Sequence, residues 1–168
     1  MAILTRAKAI RGVSAGMAAA LAVATPFIVG WEDNKLKSYQ DIVGVWTVCG
    51  GLTEGVGPHT QKTQEQCDHE NAKTVLKYAQ AVDDMVTVPM TPERHAAITS
   101  LAYNVGITAV RRSTLIRKLN QGKTVEACLE FLYAGRDRQG WTKAGGKRVK
   151  GLVYRRLEEM DMCMRGAY

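Results

Sequence analysis

Apolar residues recur at helical spacing in much of the chain after residue 60. One predicted helix begins at a capping-box pattern formed by Thr63 and Gln66. Its apolar residues fall on one face: Val75, Leu76, Ala79, Val82 and Val86. A face of this width is typical of a helix that packs against a hydrophobic core on one side and meets water on the other.

Four more helices are predicted in the same half of the chain. Thr91 followed by Pro92 marks a helix start, because proline fits the first helical position. The inward residues of this helix would be Ala97, Ile98 and Leu101. The other three predicted helices lie at residues 113–120, 124–133 and 150–164. Gly122 and Gly135 are expected to end the first two of these three.

Residues 31–58 have a different pattern. The stretch from Trp31 to Tyr39 suits a short helix or a helix end. Ile42-Val43 and residues 45–48 then form β-branched pieces around a turn at Gly44, and glycines crowd residues 50–57. The sequence therefore predicts an α+β fold with a small β-hairpin lobe, a long helix and a larger helical lobe.

The N-terminus combines basic residues with an uncharged run. Arg6, Lys8 and Arg11 precede 19 uncharged residues, 12–30, which would span roughly 28 Å as a helix. The run is only weakly apolar, so four interpretations stay open: a cleaved signal peptide with a site at Ala22-Val23-Ala24, a permanent anchor, an anchor marginal enough to leave the bilayer, or a buried helix of the globular domain. All but the last export residues 31–168. We expect residues 1–30 to be a signal-anchor segment that precedes a separate domain at 31–168.

Charge and cysteine content narrow the classes of partner. A net charge of +7 favours an anionic partner such as nucleic acid, an acidic membrane surface or a wall polymer, or else reflects a merely soluble basic surface. Nucleic acid is not expected, since basic residues are not interleaved with aromatics and no reading module is present.

No metal or cofactor is expected, because the cysteines form no Cys-x-x-Cys pair. Pairing by lobe would give disulfides Cys49–Cys67 and Cys128–Cys163; other connectivities, or free thiols in a cytosolic chain, remain open.

Two carboxylates and a hydroxyl could carry chemistry. Glu32 lies nine positions before Asp41, and Thr47 follows on the returning strand. Glycoside hydrolysis needs one carboxylic acid to protonate the leaving oxygen and a second carboxylate to activate water or attack the sugar. Glu32 directly follows the apolar run, which would raise its pKa if the side chain stays partly buried. Solvated surface acids at this spacing are also common, so the spacing alone leaves both interpretations open.

The segment around these residues resembles the active site of the phage lysozymes of glycoside hydrolase family 24. Glutamate, eight residues, aspartate, five residues and threonine are in that family's order, and the similarity extends over about residues 31–165. Three further segments carry it: 103–106, 113–120 and 144–156. Within the family the chain is most similar to signal-anchor-release endolysins, which favours the marginal anchor among the N-terminal interpretations.

The resemblance implies a function and a role for each residue. The chain would be a muramidase that cuts the β-1,4 bond between N-acetylmuramic acid and N-acetylglucosamine in peptidoglycan and lyses the host. Glu32 would be the general acid, Asp41 would place or activate water, Thr47 would help to hold that water, and the anomeric centre would be inverted. Candidates for substrate binding are Tyr103, Asn104 and Ser113; interhelical packing and helix capping are the alternatives for them.

The same resemblance implies a location and leaves rivals in place. We expect a monomer that associates transiently with the host inner membrane through residues 6–30, N-terminus in the cytoplasm, and is then released to the periplasm. Asp33 and Leu52 depart from the glycine and histidine usual in the family. The rival functions are a catalytically inactive peptidoglycan-binding module and a membrane-disrupting protein.

Overall fold

A computed structural model describes residues 13–32, 35–41, 44–135 and 140–165 of the chain. Within these ranges the fold consists of helices and two small antiparallel hairpins, which agrees with the predicted α+β class. The helices are α1 (Ala15–Trp31), α2 (Gln64–Asp83), α3 (Pro92–Val105), α4 (Ile107–Arg111), α5 (Thr114–Asn120), α6 (Thr124–Tyr133) and α7 (Lys150–Met164). The strands are β1 (Tyr39–Gln40), β2 (Trp46–Thr47), β3 (Lys143–Ala144) and β4 (Lys147–Arg148).

Helix α1 is part of the globular domain. Ser14 caps its start by accepting a hydrogen bond from the backbone N–H of Met17 at 3.1 Å. Its buried residues recur every three or four positions and pack toward α3 and α2: Met17, Ala20, Ala24 and Ile28. This is the packing that the buried-helix interpretation of the N-terminal run anticipates. None of the helices in the described ranges is at once long and apolar enough to cross a bilayer.

Most of the helical lobe forms as its sequence pattern predicts, but α4 was not predicted, and α2 ends at Asp83, so Val86 lies beyond it. Thr63 and Gln66 complete the capping box at the start of α2, with bonds of 3.2 and 2.9 Å, and Thr91 caps α3. Helices α6 and α7 match the predicted ranges, and α5 begins one residue later because Ser113 is its cap. The inward residues of α3 named above are fully buried, at the centre of the main core.

The small lobe, which we call the β lobe (residues 35–62), differs from the prediction at its start. Of the two interpretations of residues 31–39, the helix end holds, since α1 ends at Trp31. A short helix does not form in the described residues of this stretch, because Tyr39 already belongs to β1. The reason is backbone pairing across the lobe: Ser38 N–H donates to Thr60 at 2.8 Å, and Lys62 N–H donates to Leu36 at 2.9 Å. The predicted strand piece Ile42-Val43 lies outside the described residues.

The β3–β4 hairpin was missed by the sequence reasoning. Gly145 and Gly146 form its two-residue loop with φ of 56° and 76°. Positive φ at both loop positions is typical of the type I′ turn, which glycine pairs favour. The Gly-Gly pair was therefore an available signal.

Both disulfides expected from pairing by lobe are confirmed. Cys49–Cys67 joins the β lobe to the first turn of α2, and Cys128–Cys163 joins α6 to α7. All four sulfurs are used. The alternative connectivities and the free thiols are thereby excluded.

Candidate active site

Glu32 lies at the end of α1, where the chain leaves the helical lobe for the β lobe. Its backbone N–H still donates to Ile28 at 3.1 Å, so the buried helix fixes its main chain. Its side chain is 26% exposed, and Oε1 accepts a hydrogen bond from Arg155 Nη1 at 2.8 Å. A charge-assisted bond of this length holds the carboxyl group in one orientation.

Arg155 belongs to a buried charged cluster on α7 and α3. Its Nε donates to Glu159 Oε1 at 3.2 Å and its Nη2 donates to Ser100 Oγ at 3.3 Å. Glu159 is 0% exposed and also accepts bonds from Ser100 Oγ at 2.6 Å and Arg156 Nη2 at 2.8 Å. Burial raises the pKa of the Glu159 carboxyl and lowers the pKa of the Arg156 guanidinium, while their mutual attraction opposes both shifts.

Asp41 and Thr47 are held by the β1–β2 hairpin. Tyr39 pairs with Thr47 and Gln40 with Trp46, so Asp41 stands opposite Val45. Asp41 N–H donates to the Val45 carbonyl at 3.0 Å, and Val45 N–H donates to Asp41 Oδ1 at 2.9 Å. Because side chains alternate along a strand, Asp41 and Thr47 share one face of this hairpin. Thr47 is buried and donates its hydroxyl proton to the Val45 carbonyl at 3.1 Å.

Gly50 brings the end of this hairpin against Glu32. Its φ is 70°, and a Cβ at this position would lie 3.2 Å from Glu32 Cβ. Only glycine combines this backbone conformation with so close an approach. Around this contact, Glu32, Gly50, Asn71 and Tyr103 surround a gap too narrow to hold a water molecule, together with Ile28, Val29 and Val75.

Tyr103 is the predicted substrate-binding residue that lies beside Glu32. Its hydroxyl donates to the Gly50 carbonyl at 3.0 Å and so ties α3 to the β lobe. Burial, followed by the negative charge of Glu32, raises the pKa of Tyr103 to about 12. The side chain therefore stays a neutral hydrogen-bond donor at neutral pH and well into the alkaline range.

The other two substrate-binding candidates have partners within the fold. Asn104 Oδ1 accepts a bond from Arg156 Nη1 at 3.1 Å. Ser113 Oγ accepts the Ile116 N–H at 3.3 Å as the cap of α5. Their role toward substrate stays a prediction.

Two departures from the expected family pattern have different outcomes. Leu52 pairs with Val48 through backbone bonds of 2.9 Å in both directions and packs on the small core of the β lobe. Asp33 lies outside the described residues. Within the ranges that the structure describes, no group of three or more His, Cys, Asp or Glu side chains is arranged to hold a metal.

Sequence reasoning missed Arg155 as the hydrogen-bond partner of Glu32. It also missed Ser100 and Glu159, which hold Arg155 in place. A signal was present in α7, where Arg155, Arg156 and Glu159 recur at the three- and four-residue spacing that puts them on one helix face. Charged residues at such positions are usually solvated, so only the packing of α7 against α3 reveals that they are buried.

The chain was compared with known proteins. The sequence model of the family described as "Phage lysozyme" matches residues 29–159. The SAR-endolysin of Bacteriophage PS119 is 36% identical over 154 residues, which is 88% of this chain and 88% of that relative. The SAR-endolysin of Enterobacteria phage P21 is also 36% identical over 154 residues, covering 88% of this chain and 89% of that one. In three dimensions, the endolysin of Escherichia coli O157:H7 phage FAHEc1 superposes with a TM-score of 0.71 at 28% identity, covering 94% of this chain and 96% of that chain. The chain therefore belongs to the phage lysozyme family.

Proposed function

We infer that this chain is a lysozyme-type glycoside hydrolase that acts as an endolysin, cutting the β-1,4 bond between N-acetylmuramic acid and N-acetylglucosamine in peptidoglycan and causing host lysis. The observation that carries the proposal is the position of Glu32, a partly exposed carboxyl group held by Arg155 at the junction of the two lobes. A net charge of +7 also suits an anionic wall polymer.

Glu32 is proposed as the general acid. Arg155 donates to Oε1, which leaves Oε2 to carry the proton that passes to the glycosidic oxygen as the bond breaks. Donation of this proton lets the leaving sugar depart as an alcohol rather than as an alkoxide. Tyr103, whose hydroxyl donates to the Gly50 carbonyl and whose pKa is raised in part by the charge of Glu32, is proposed to line the substrate cleft beside Glu32.

Asp41 and Thr47 are proposed to direct a water molecule to the opposite face of the sugar ring. The Thr47 hydroxyl donates to the Val45 carbonyl, so toward a water molecule it would act as an acceptor. The Asp41 carboxylate would take the proton of that water as the oxygen attacks the anomeric carbon. This arrangement inverts the anomeric centre and requires about 6.5–9.5 Å between the Glu32 and Asp41 carboxyl groups.

The simplest test replaces Glu32 by the isosteric amide. Glu32→Gln should lower the rate at which reducing ends appear in purified peptidoglycan by at least about 100-fold, since an amide cannot donate the proton. The thermal midpoint should stay near that of the parent chain. Glu54→Gln, which alters an exposed carboxylate of the β lobe, is the matched control and should be as active as the parent. Lysis by Glu32→Gln at the parent rate would refute the assignment.

The N-terminal run is proposed to have two environments in succession. Before release, residues 6–30 hold the chain at the host inner membrane with the N-terminus in the cytoplasm; after release to the periplasm, the part of this run from Ala15 onward is in helix α1. Its composition suits both, because the face of α1 directed to water carries small residues that cost little there: Ala18, Ala19 and Ala22. The periplasm also permits the two disulfides. Release would then switch activity on, because Glu32 takes its place only when α1 packs on α3.

This proposal can be tested on the water-facing side of α1. Ala18→Leu with Ala22→Leu leaves the buried face intact and adds about −0.3 to −0.6 kcal/mol of insertion free energy for each leucine. The variant should stay in the membrane fraction and delay lysis, whereas the control Ala18→Ser with Ala22→Ser should be released earlier. Equal distribution of the two variants between membrane and soluble periplasm would contradict the anchor, without bearing on the hydrolase assignment.

A further inference from the structure

The charged cluster on α7 and α3 is larger than is needed to hold one glutamate. Arg155, Arg156 and Glu159 are 4%, 0% and 0% exposed, and Ser100 is fully buried between the helices. Buried ion pairs are weak evidence for stability, because desolvation of the charges can offset their attraction and apolar residues of similar volume often serve as well. The cluster therefore calls for a role other than stability.

The guanidinium group of Arg155 donates hydrogen bonds in two directions. Nε and Nη2 donate to Glu159 and Ser100 inside the helical lobe, and Nη1 donates to Glu32 at its edge. Because a guanidinium group is planar and rigid, fixing two of its nitrogens also fixes the third. The direction in which Nη1 points is thus set by residues that do not touch Glu32.

Glu159 is the residue that the other buried members of this cluster contact. Its Oε1 accepts bonds from Ser100, Arg155 and Arg156, and its Oε2 lies 2.6 Å from Arg156 Nε. The second arginine is itself held by Asn104. When Glu32 carries the proton that it is proposed to donate, Glu159 supplies the negative charge that faces both arginines of the cluster. Loss of the Glu159 charge would therefore leave both buried cations without that charge beside Glu32.

We propose that Glu159 is a positioning residue for the glycosidase reaction: with Ser100 it locks the Arg155 guanidinium so that Nη1 holds the Glu32 carboxyl group in the orientation for proton transfer. Glu159 acts through Arg155 and does not contact substrate. The inference rests on the proposed role of Glu32 as the acid. Orientation of the acid matters more for the rate of the chemical step than for binding, so the effect belongs in kcat.

The test measures kcat and KM on soluble, uncross-linked glycan strands. Glu159→Gln keeps the size of the side chain and removes its charge, and it should lower kcat about 10- to 100-fold with KM changed less than about threefold. The matched control is Asp161→Asn, which removes an exposed carboxylate from the same helix and should leave both parameters at parent values. Ser100→Ala, a small change that keeps every charge, should lower kcat about three- to tenfold and decides the matter if Glu159→Gln does not fold.

A double-mutant cycle shows whether Glu159 works through Arg155. In an Arg155→Met background, Glu159→Gln should change kcat by less than about twofold, because the group it positions is already gone. Equal losses in both backgrounds, a loss confined to KM, or parent kcat in Glu159→Gln or in a folded Ser100→Ala would overturn the proposal. Glu32→Gln separates the two levels: if it abolishes activity while Glu159→Gln does not lower kcat, only the positioning role fails, and if it stays active, both fail.

Discussion

The two lobes are held together by different means. The core of the helical lobe is built from apolar side chains of all seven helices, α1 to α7, in the described part of the chain. In the described part of the β lobe, the buried core consists of Val48 and Cys49 with Cys67 of α2, joined by the partly buried Leu52 and Val56. Where so little apolar surface is buried, covalent and backbone links must supply the order.

The same difference applies to the two carboxylates that we propose to be catalytic. Glu32 is fixed by a helix and by a charged cluster that belong to the helical lobe, whereas Asp41 is fixed by bonds to Val45 within its own hairpin. The lobes meet where Gly50 packs on Glu32 and where Tyr103 bonds to the Gly50 carbonyl. The proposed acid and the proposed water-directing group are thus held by separate parts of the fold, which meet at this junction.

The largest effect is expected for Asp41→Asn. The amide oxygen can still accept the Val45 N–H, so the hairpin should survive, while the carboxylate that would take the proton of water is gone. We expect activity on peptidoglycan to fall about 10²- to 10⁴-fold with little change in the thermal midpoint. A large fall in the midpoint would instead mean that Asp41 serves the hairpin.

Removal of each disulfide in turn should have a different effect, depending on the lobe to which the disulfide belongs. Their sequence separations of 18 and 35 residues correspond to about 3 and about 4 kcal/mol on the chain-entropy model. Cys49→Ser with Cys67→Ser should abolish activity at temperatures where circular dichroism still reports folded helices. Cys128→Ser with Cys163→Ser should lower the unfolding temperature while the folded enzyme keeps most of its activity. If activity and helicity were lost together in both double mutants, the two lobes would not be stabilised by different means.

A smaller effect is expected at the junction. Gly50→Ala places a methyl group against Glu32 Cβ at a φ of 70°, and Gly55→Ala introduces the same φ of 70° in open space. Both should lose about 1–2 kcal/mol of unfolding free energy from backbone strain. Gly50→Ala should in addition lower kcat about tenfold by displacing Glu32, and equal activity of the two variants would show that the contact does not matter.

The smallest effect concerns alkaline stability. The pKa of Tyr103 is raised to about 12, so the folded state keeps its proton after the unfolded chain has begun to lose its own above about pH 10. The stability contributed by this group is therefore fully present below pH 10 and declines as the pH rises toward 12. Tyr103→Phe should flatten that decline in urea titrations at pH 9 to 12, and an unchanged slope would speak against the buried environment.

The helical lobe was predictable because its signals are local. The Thr63–Gln66 capping box, the helix start at Pro92 and the inward residues of α3 each specify structure within a few residues, and all are confirmed. The apolar spacing of α2 is confirmed as far as Val82, whereas Val86 lies beyond the end of the helix. Disulfide pairing by lobe also followed from chain order. Helix α1 was ambiguous because alanine and glycine are tolerated both in lipid and against another helix, so composition alone does not choose between them.

The surroundings of Glu32 could not be predicted, because they depend on residues that are distant in sequence. Arg155 is separated from Glu32 by 123 positions, and the contact exists only because α7 packs on α3 and α3 packs on α1. Glu32 itself was identified from the family's spacing, which carries no information on what holds its side chain. The start of the β lobe was left open between a short helix and a helix end for a similar reason, since its pairing partner is at residues 60–62.

The most direct test of the account is the anomeric configuration of the first product. If Glu32 and Asp41 flank the bond with a water molecule between Asp41 and the sugar, proton NMR on soluble glycan strands should show the α-anomer of N-acetylmuramic acid appearing first and equilibrating later. Initial release of the β-anomer would mean that a carboxylate attacks the sugar directly. That result would contradict the proposal that Glu32 donates the proton while Asp41 directs a water molecule.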